Sequence, residues 1–152
     1  MCTTVVESRV LTEQPTVVRR GTMAPTEMSA WFPKTYGEIV AFLRTHHTMP
    51  AGPPFARYHQ LPDGRFEVEA GFPVVGVVAS DAVTQMSSLP GGTVAVTVHV
   101  GPYDTLGENY AAVAEWLRLR GAKAAGDPWE IYRDPPDGDP ATWRTEIVQP
   151  YE

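Results

Sequence analysis

Glu130 lies between Trp129 and Tyr132 in the run Gly126-Asp127-Pro128-Trp129-Glu130-Ile131-Tyr132. On a strand, residues two apart point to the same side, so Glu130 and Tyr132 share a face. A carboxylate set among aromatic rings loses hydration, and its pKa rises unless a cation or hydrogen bonds compensate. A bound lipophilic cation would supply that compensation, and the ring faces would add cation–π attraction. The same carboxyl group, with a Tyr or Trp neighbour, could instead orient water or act as a general acid–base on a strained electrophile. Glu130 is therefore the expected charged residue of a ligand site, and the catalytic residue if that site is an enzyme's. The plain alternative is a rim carboxylate in water.

The other residues that could do chemistry are weaker signals. Glu69 and Glu146 recur at matched places in two halves of the chain, which points to structural pairing with Arg57 or Arg144; the functional alternative puts Glu69 on a cleft floor. Trp31, Phe32, Tyr36, Tyr58, Tyr103, Tyr110, Trp129, Tyr132 and Trp143 are the aromatic supply. Any one of them could be core, but a pocket lined by Tyr and Glu gives Tyr hydroxyls the partners they need when buried. With Glu130 and Glu69 they form the expected ligand-binding set. His46-His47 resemble a metal pair but lack further ligands, and His59 and His99 are isolated, so exposed or hydrogen-bonded histidines are expected and no metal. No phosphate-binding loop and no nucleophile elbow occurs, and no cofactor is expected.

Periodicity places these residues on elements. Strands are expected over Val5–Val10 and Thr16–Arg20, separated by a Glu13-Gln14-Pro15 turn. A helix from Thr26 should break or kink at Pro33. A second helix should open on the capping box Thr35-Tyr36-Gly37-Glu38, with Tyr36, Ile39, Val40 and Leu43 on one face. Phe55–Gln60 and Phe66–Gly71 read as a hairpin around Pro62-Asp63-Gly64. Pro73–Ala79 reads as a strand, Asp81–Ser88 as a linker, and Leu89-Pro90-Gly91-Gly92 as a turn. Thr93–Val100 is a strand. Thr105-Leu106-Gly107-Glu108 is a further capping box before the face Leu106, Tyr110, Val113, Leu117, and Gly121 is a plausible stop. Trp129–Arg133 and Trp143–Val148 are strands flanking a turn-rich loop over Asp134–Pro140.

Bulk composition narrows the function classes. The length of 152 residues fits one domain. The net charge of −6, with no basic cluster longer than Arg19-Arg20, disfavours direct nucleic acid binding. Cys2 is the single cysteine, so no intrachain disulfide and no cysteine metal site can form. No signal peptide pattern and no apolar run of about 18 residues occurs, so a cytoplasmic protein is expected.

The order strand, helix, strand, hairpin, strand occurs twice. Tyr36, Phe42, Leu43, Arg44, Pro54, Phe55 and Tyr58 match Tyr110, Trp116, Leu117, Arg118, Pro128, Trp129 and Tyr132 at one fixed offset. Past the hairpin the offset grows, as a longer turn explains, and Phe66, Glu69 and Pro73 match Trp143, Glu146 and Pro150. Ala56 stands at the position matching Glu130, so the fold does not itself require a carboxylate there. The expected fold class is α+β: duplicated β-α-β-β units, about residues 4–74 and 89–152. They would be related by a pseudo-twofold axis, with an antiparallel sheet, two main helices and a ligand cleft between the repeats.

An ordered set of blocks carries a resemblance. Gly52-Pro53-Pro54-Phe55-Ala56-Arg57-Tyr58, Glu69-Ala70-Gly71-Phe72-Pro73-Val74 and Leu89-Pro90-Gly91-Gly92 come first. His99-Val100-Gly101-Pro102-Tyr103-Asp104-Thr105-Leu106, Trp129-Glu130-Ile131-Tyr132 and Arg144-Thr145-Glu146-Ile147 follow. Together they resemble the GyrI-like small-molecule-binding domains, which are similar to the effector-binding halves of bacterial multidrug-sensing transcription regulators. The resemblance implies a pocket between repeats with aromatic walls around an acidic residue, and bulky lipophilic, often cationic aromatic ligands. The sequence is read as a stand-alone member, without a DNA-binding portion. Three functions stay open: a small-molecule binder for multidrug recognition or sequestration, a hydrolase of cyclopropanoid or other electrophilic toxins using Glu130, and an interaction module acting on DNA gyrase or a regulator.

Overall fold

The structure is a computed structural model that describes residues 4–134 and 137–152. Cys2, and the Pro135-Pro136 part of the expected loop, lie outside the described residues. In chain order the elements are β1 (Val6–Leu11), β2 (Gln14–Met23), α1 (Met28–Thr45), β3 (Phe55–Gln60), β4 (Phe66–Pro73), β5 (Gln85–Leu89), β6 (Gly92–Val100), α2 (Leu106–Leu119), β7 (Trp129–Tyr132) and β8 (Arg144–Pro150). The described strand pairs are antiparallel, and the class is α+β as expected. Among the described residues no helix is long and apolar enough to cross a membrane.

The chain divides into two compact units. One is Glu13–Pro90, and the other joins the segment ending at Thr12 to Gly91–Glu152. In the first unit the strand order is β3-β4-β2-β5. Its helix α1 buries Ile39 and Leu43 against Val17, Phe72, Val74 and Val78. Each such side chain contributes about 1.5–3 kcal/mol when fully removed from water. In the second unit the order is β1-β6-β8-β7. There α2 buries Val113 and Leu117 against Ala95. The helical faces read from the sequence are the ones that pack. The β3–β4 hairpin also forms as expected, with Gly64 at φ +87°, where a side chain would be strained.

Four local expectations are overturned. Pro33 does not break the helix: α1 runs through it from Met28, after a 3-10 turn over Pro25–Glu27. Pro33 and Ser29 both lie on the solvent side, where water can satisfy the Ser29 carbonyl that loses its amide partner. The box Thr35-x-x-Glu38 is consequently mid-helix, with Thr35 buried. Glu27 instead reaches back to accept the Ala24 N–H at 2.9 Å. Restoring the missing helical donor with Pro33→Ala should raise stability by about 1 kcal/mol in urea unfolding. A loss of stability would mean that the ring itself packs against α1's neighbours.

The second capping box also fails. Thr105 does flank α2, but its hydroxyl caps no helical amide and goes to His99 and the Pro102 carbonyl instead.

The expected strand over Pro73–Ala79 and linker over Asp81–Ser88 are interchanged in character. β4 ends at Pro73, and Gly76 turns the chain at φ +83°, leaving Val75 and Val77 exposed. The Asp81 carboxylate then accepts the Val83 and Thr84 amides, both at 2.7 Å, which holds its pKa below the ordinary value. The chain thus enters β5, whose Gln-Met-Ser-Ser-Leu has little strand propensity and is held by the ladder to β2.

Charged pairs also differ from expectation. Glu69 accepts from Arg20 at 3.0 Å and from Ser87 at 3.2 Å. Glu146 is buried and paired with Arg9 and Arg133, while Arg144 makes a two-point contact with Asp134. Asp134 sits nearest the Arg144 fork and takes it, which leaves Glu146 to the two other guanidinium groups.

Candidate functional site

β7 and α2 build the charged site of the second unit. Alternation along β7 puts Glu130 on the side facing α2, where the Tyr110 hydroxyl donates to its Oε2 at 2.5 Å. Tyr132, two residues along the same strand, donates to Oε1 at 2.9 Å. The Glu130 residue is only 7% exposed. Burial pushes its pKa up, and the hydrogen bonds from Tyr110 and Tyr132 and the nearby His99 pull it part of the way back. Among the described residues no Lys or Arg forms an ion pair with it.

Aromatic rings extend the site. Tyr103 meets Tyr132 edge-on at 5.7 Å and stacks on Trp143 at 5.0 Å. Burial, Glu130 and Asp134 raise the Tyr103 pKa, so it stays a neutral phenol. Among the described residues, Trp143 Nε1 and Thr145 Oγ1 of this unit are buried with no hydrogen-bond partner. Thr145 stands opposite both His99 and Tyr132 in the ladder, so its hydroxyl belongs to the same face as the carboxylate. His99 itself is buried, bonded to Asn109 and Thr105.

The first unit holds its own aromatic group. Trp31, Phe32 and Tyr36 of α1 form successive ring contacts at 5.2 and 5.8 Å, and Phe32 meets Tyr58 at 6.3 Å. Tyr36 donates to the Phe55 carbonyl at 2.6 Å, and the neighbouring β3 position is Ala56, which offers no carboxylate.

Of the residues singled out in the sequence, Glu130, Tyr103, Tyr110, Tyr132 and Trp143 come together. Trp31, Phe32, Tyr36 and Tyr58 come together in the other unit. Trp129 is turned to the opposite face of β7 from Glu130 and is 2% exposed, in the core. Glu69 is engaged by Arg20 and Ser87 on the first unit's sheet. Asn109 and Thr145 were not singled out. Only the strand register, which aligns Thr145 with Tyr132, points to the latter.

A buried carboxylate with two phenol donors and flanking rings can do two things chemically. Ionised, it attracts a cation that the rings also favour. Protonated, it is an acid held in place by its neighbours.

Comparison with known proteins supports the family. No curated protein matches the chain. The solved structure of the EcmrR C-terminal domain is similar over 98% of both chains, at 22% identity and a TM-score of 0.84. The EcmrR–DNA complex in EcmrR-RPo is similar over 98% of this chain and 57% of its own, at 20% identity and a TM-score of 0.87. SAV2435 bound to tetraphenylphosphonium is similar over 97% of this chain and 94% of its own, at 15% identity and 0.72. The family described as GyrI-like small molecule binding domain matches residues 6–152. The chain belongs to that family.

Proposed function

We propose that this chain binds bulky, lipophilic, cationic aromatic molecules, with Glu130 as the charge partner and Tyr103, Tyr110, Tyr132 and Trp143 as the surrounding wall. The observation that carries the reading is the state of Glu130: buried, supplied with two phenol donors, and without an ion pair to a Lys or Arg among the described residues. Such a carboxylate lacks a strong cationic partner, and a soft aromatic cation offers one at low desolvation cost. The likeness to SAV2435, which was solved with tetraphenylphosphonium, favours the same ligand class. The net charge of −6 favours cations at the surface and disfavours a role that needs DNA contact.

We further infer that the two units are copies of one β-α-β-β element within a single domain. Strand order supports this, since β5-β2-β4-β3 and β1-β6-β8-β7 repeat one scheme. Register supports it too. Leu11 pairs with Gly92 as Leu89 pairs with Gln14, and Ala56 pairs with Ala70 as Glu130 pairs with Ile147.

The test is a tryptophan-fluorescence titration with tetraphenylphosphonium and with a neutral aromatic of the same shape, followed by mass spectrometry of the recovered ligand. Saturable binding that prefers the cation, with ligand recovered unchanged, is expected. Equal binding of both compounds would sink the charge assignment. A hydrolysed electrophile recovered in a parallel incubation would mean that Glu130 does acid–base chemistry.

A further inference from the structure

We infer that Trp143 Nε1 and Thr145 Oγ1 form an uncharged subsite beside Glu130, one that takes a hydrogen-bond-accepting oxygen of the ligand, such as an aryl ketone. The ligand would then carry a carbonyl oxygen as well as a positive charge; only the charge rests on the cation-binding reading above. Among the described residues three buried side-chain atoms lack a hydrogen-bond partner, and two of them are these, two residues apart. The third, Thr16 Oγ1, belongs to the other unit. Thr145 is 0% exposed, and a β-branched side chain has few rotamers by which to reach another partner. A buried polar group left unpaired costs stability, so a pair of them on one strand calls for a reason.

Register and ring contacts put both atoms beside the carboxylate. In the β7–β8 ladder Thr145 is opposite Tyr132, and Ile147 is opposite Glu130. Opposed residues project to the same side of a sheet, so Thr145 shares the face of Glu130. Trp143 is extended and two residues before Thr145, so alternation carries its indole to that side as well. Tyr103 stacks on Trp143 at 5.0 Å and meets Tyr132 at 5.7 Å, and Tyr132 donates to Glu130 at 2.9 Å. The Trp143 backbone is held on both sides: its carbonyl accepts from Gly101 at 2.8 Å, and its N–H donates to Pro140 at 3.2 Å. His99, opposite Thr145 on β6, commits its ring nitrogens to Asn109 and to the Pro102–Thr105 turn. The two orphaned groups define the occupant. An indole N–H only donates, and a hydroxyl donates or accepts. One carbonyl oxygen has two lone pairs and can accept from both. An anionic oxygen would meet the Glu130 carboxylate, so a neutral one fits.

Isothermal titration with two matched pairs of probes tests this. The cationic pair is (4-benzoylphenyl)triphenylphosphonium and its (4-benzylphenyl) twin, in which a methylene replaces the carbonyl. The neutral pair is benzophenone and diphenylmethane. In the wild type the cationic ketone should bind about tenfold more tightly than its twin. That ratio should fall to about one in the Trp143→Phe, Thr145→Val double variant. Ligand-free Thr145→Val should melt about 2 °C or more above wild type, since the variant removes a buried hydroxyl that has no partner. A lower melting temperature for Thr145→Val, a ketone preference that survives the double variant, or no binding of either ketone would overturn the subsite. Cations bound with no preference for the ketone would remove the subsite and leave the charge reading standing. Benzophenone preferred over diphenylmethane, with that preference lost in the double variant and neither cation bound, would uphold the subsite and remove the charge reading instead.

Discussion

Glu130→Gln is expected to weaken tetraphenylphosphonium binding by about 30-fold, an effect of about 2 kcal/mol, and to spare a neutral aromatic of the same shape. The amide keeps the size and can still accept one phenol hydrogen bond, from Tyr110 or Tyr132, so the walls need not move. What disappears is the negative charge, in a site where burial keeps water from screening it. The pH dependence of wild-type binding has a fixed sign. A cation prefers the ionised carboxylate, and the Glu130 pKa lies above its ordinary value of 4.5, so affinity falls as pH drops through that raised pKa. Below it the loss approaches about tenfold per pH unit, and Glu130→Gln shows no such slope. Stability moves the other way. A carboxyl whose pKa is raised on folding favours the fold when protonated, and that contribution is lost as pH rises through the folded value. Glu130→Gln should therefore equal or exceed wild type in thermal stability at pH 7, and lose the advantage below pH 4.5. Isothermal titration and thermal melts across pH measure both effects. Unchanged affinity in Glu130→Gln, with the protein folded, would take Glu130 out of ligand binding.

Gly71→Ala should cost about 3 kcal/mol or more, read as a lower urea midpoint at unchanged slope. Gly71 is interior to β4, opposite Val18 on one side and Phe55 on the other. A Cβ built there would lie 2.1 Å from the Val17 carbonyl oxygen and 2.8 Å from a Val18 methyl. The first contact is with backbone in a paired strand, so relief requires β2 and β4 to separate. Gly37, on α1 with nothing within 4 Å of an added Cβ, is the control. Gly37→Ala should be neutral or slightly stabilising, since alanine is the better helix former. A Gly71→Ala protein as stable as wild type would mean that the central ladder of the first unit is looser than its register implies.

Several features were legible without coordinates because they depend on residues close in sequence. Helix faces such as Ile39 and Leu43, or Val113 and Leu117, follow from the helical period. The Asp63-Gly64 hairpin follows from turn chemistry, and the placing of Glu130 and Tyr132 on one side follows from strand alternation. The same helical period places Tyr36 and Tyr110 beside those apolar positions on their helices.

Other features needed partners distant in the chain. Pro33 forbids a helix by local rules, yet α1 continues because its apolar side is held against Val17 and Phe72. Gln85–Leu89 is a strand because β2 offers an open edge, and Val74–Val78 is not one, although its composition fits a strand better. Thr105 left its capping role for His99. By itself, then, the sequence determined the element types, the hairpin and the pairing of a carboxylate with a tyrosine on one face. Only tertiary structure decided that Tyr110 and Tyr132 both donate to Glu130, that Trp129 is core, and that His99 lies buried beneath α2. Periodicity reports which side of an element is apolar, whereas hydrogen bonding and desolvation depend on which distant residues that side meets.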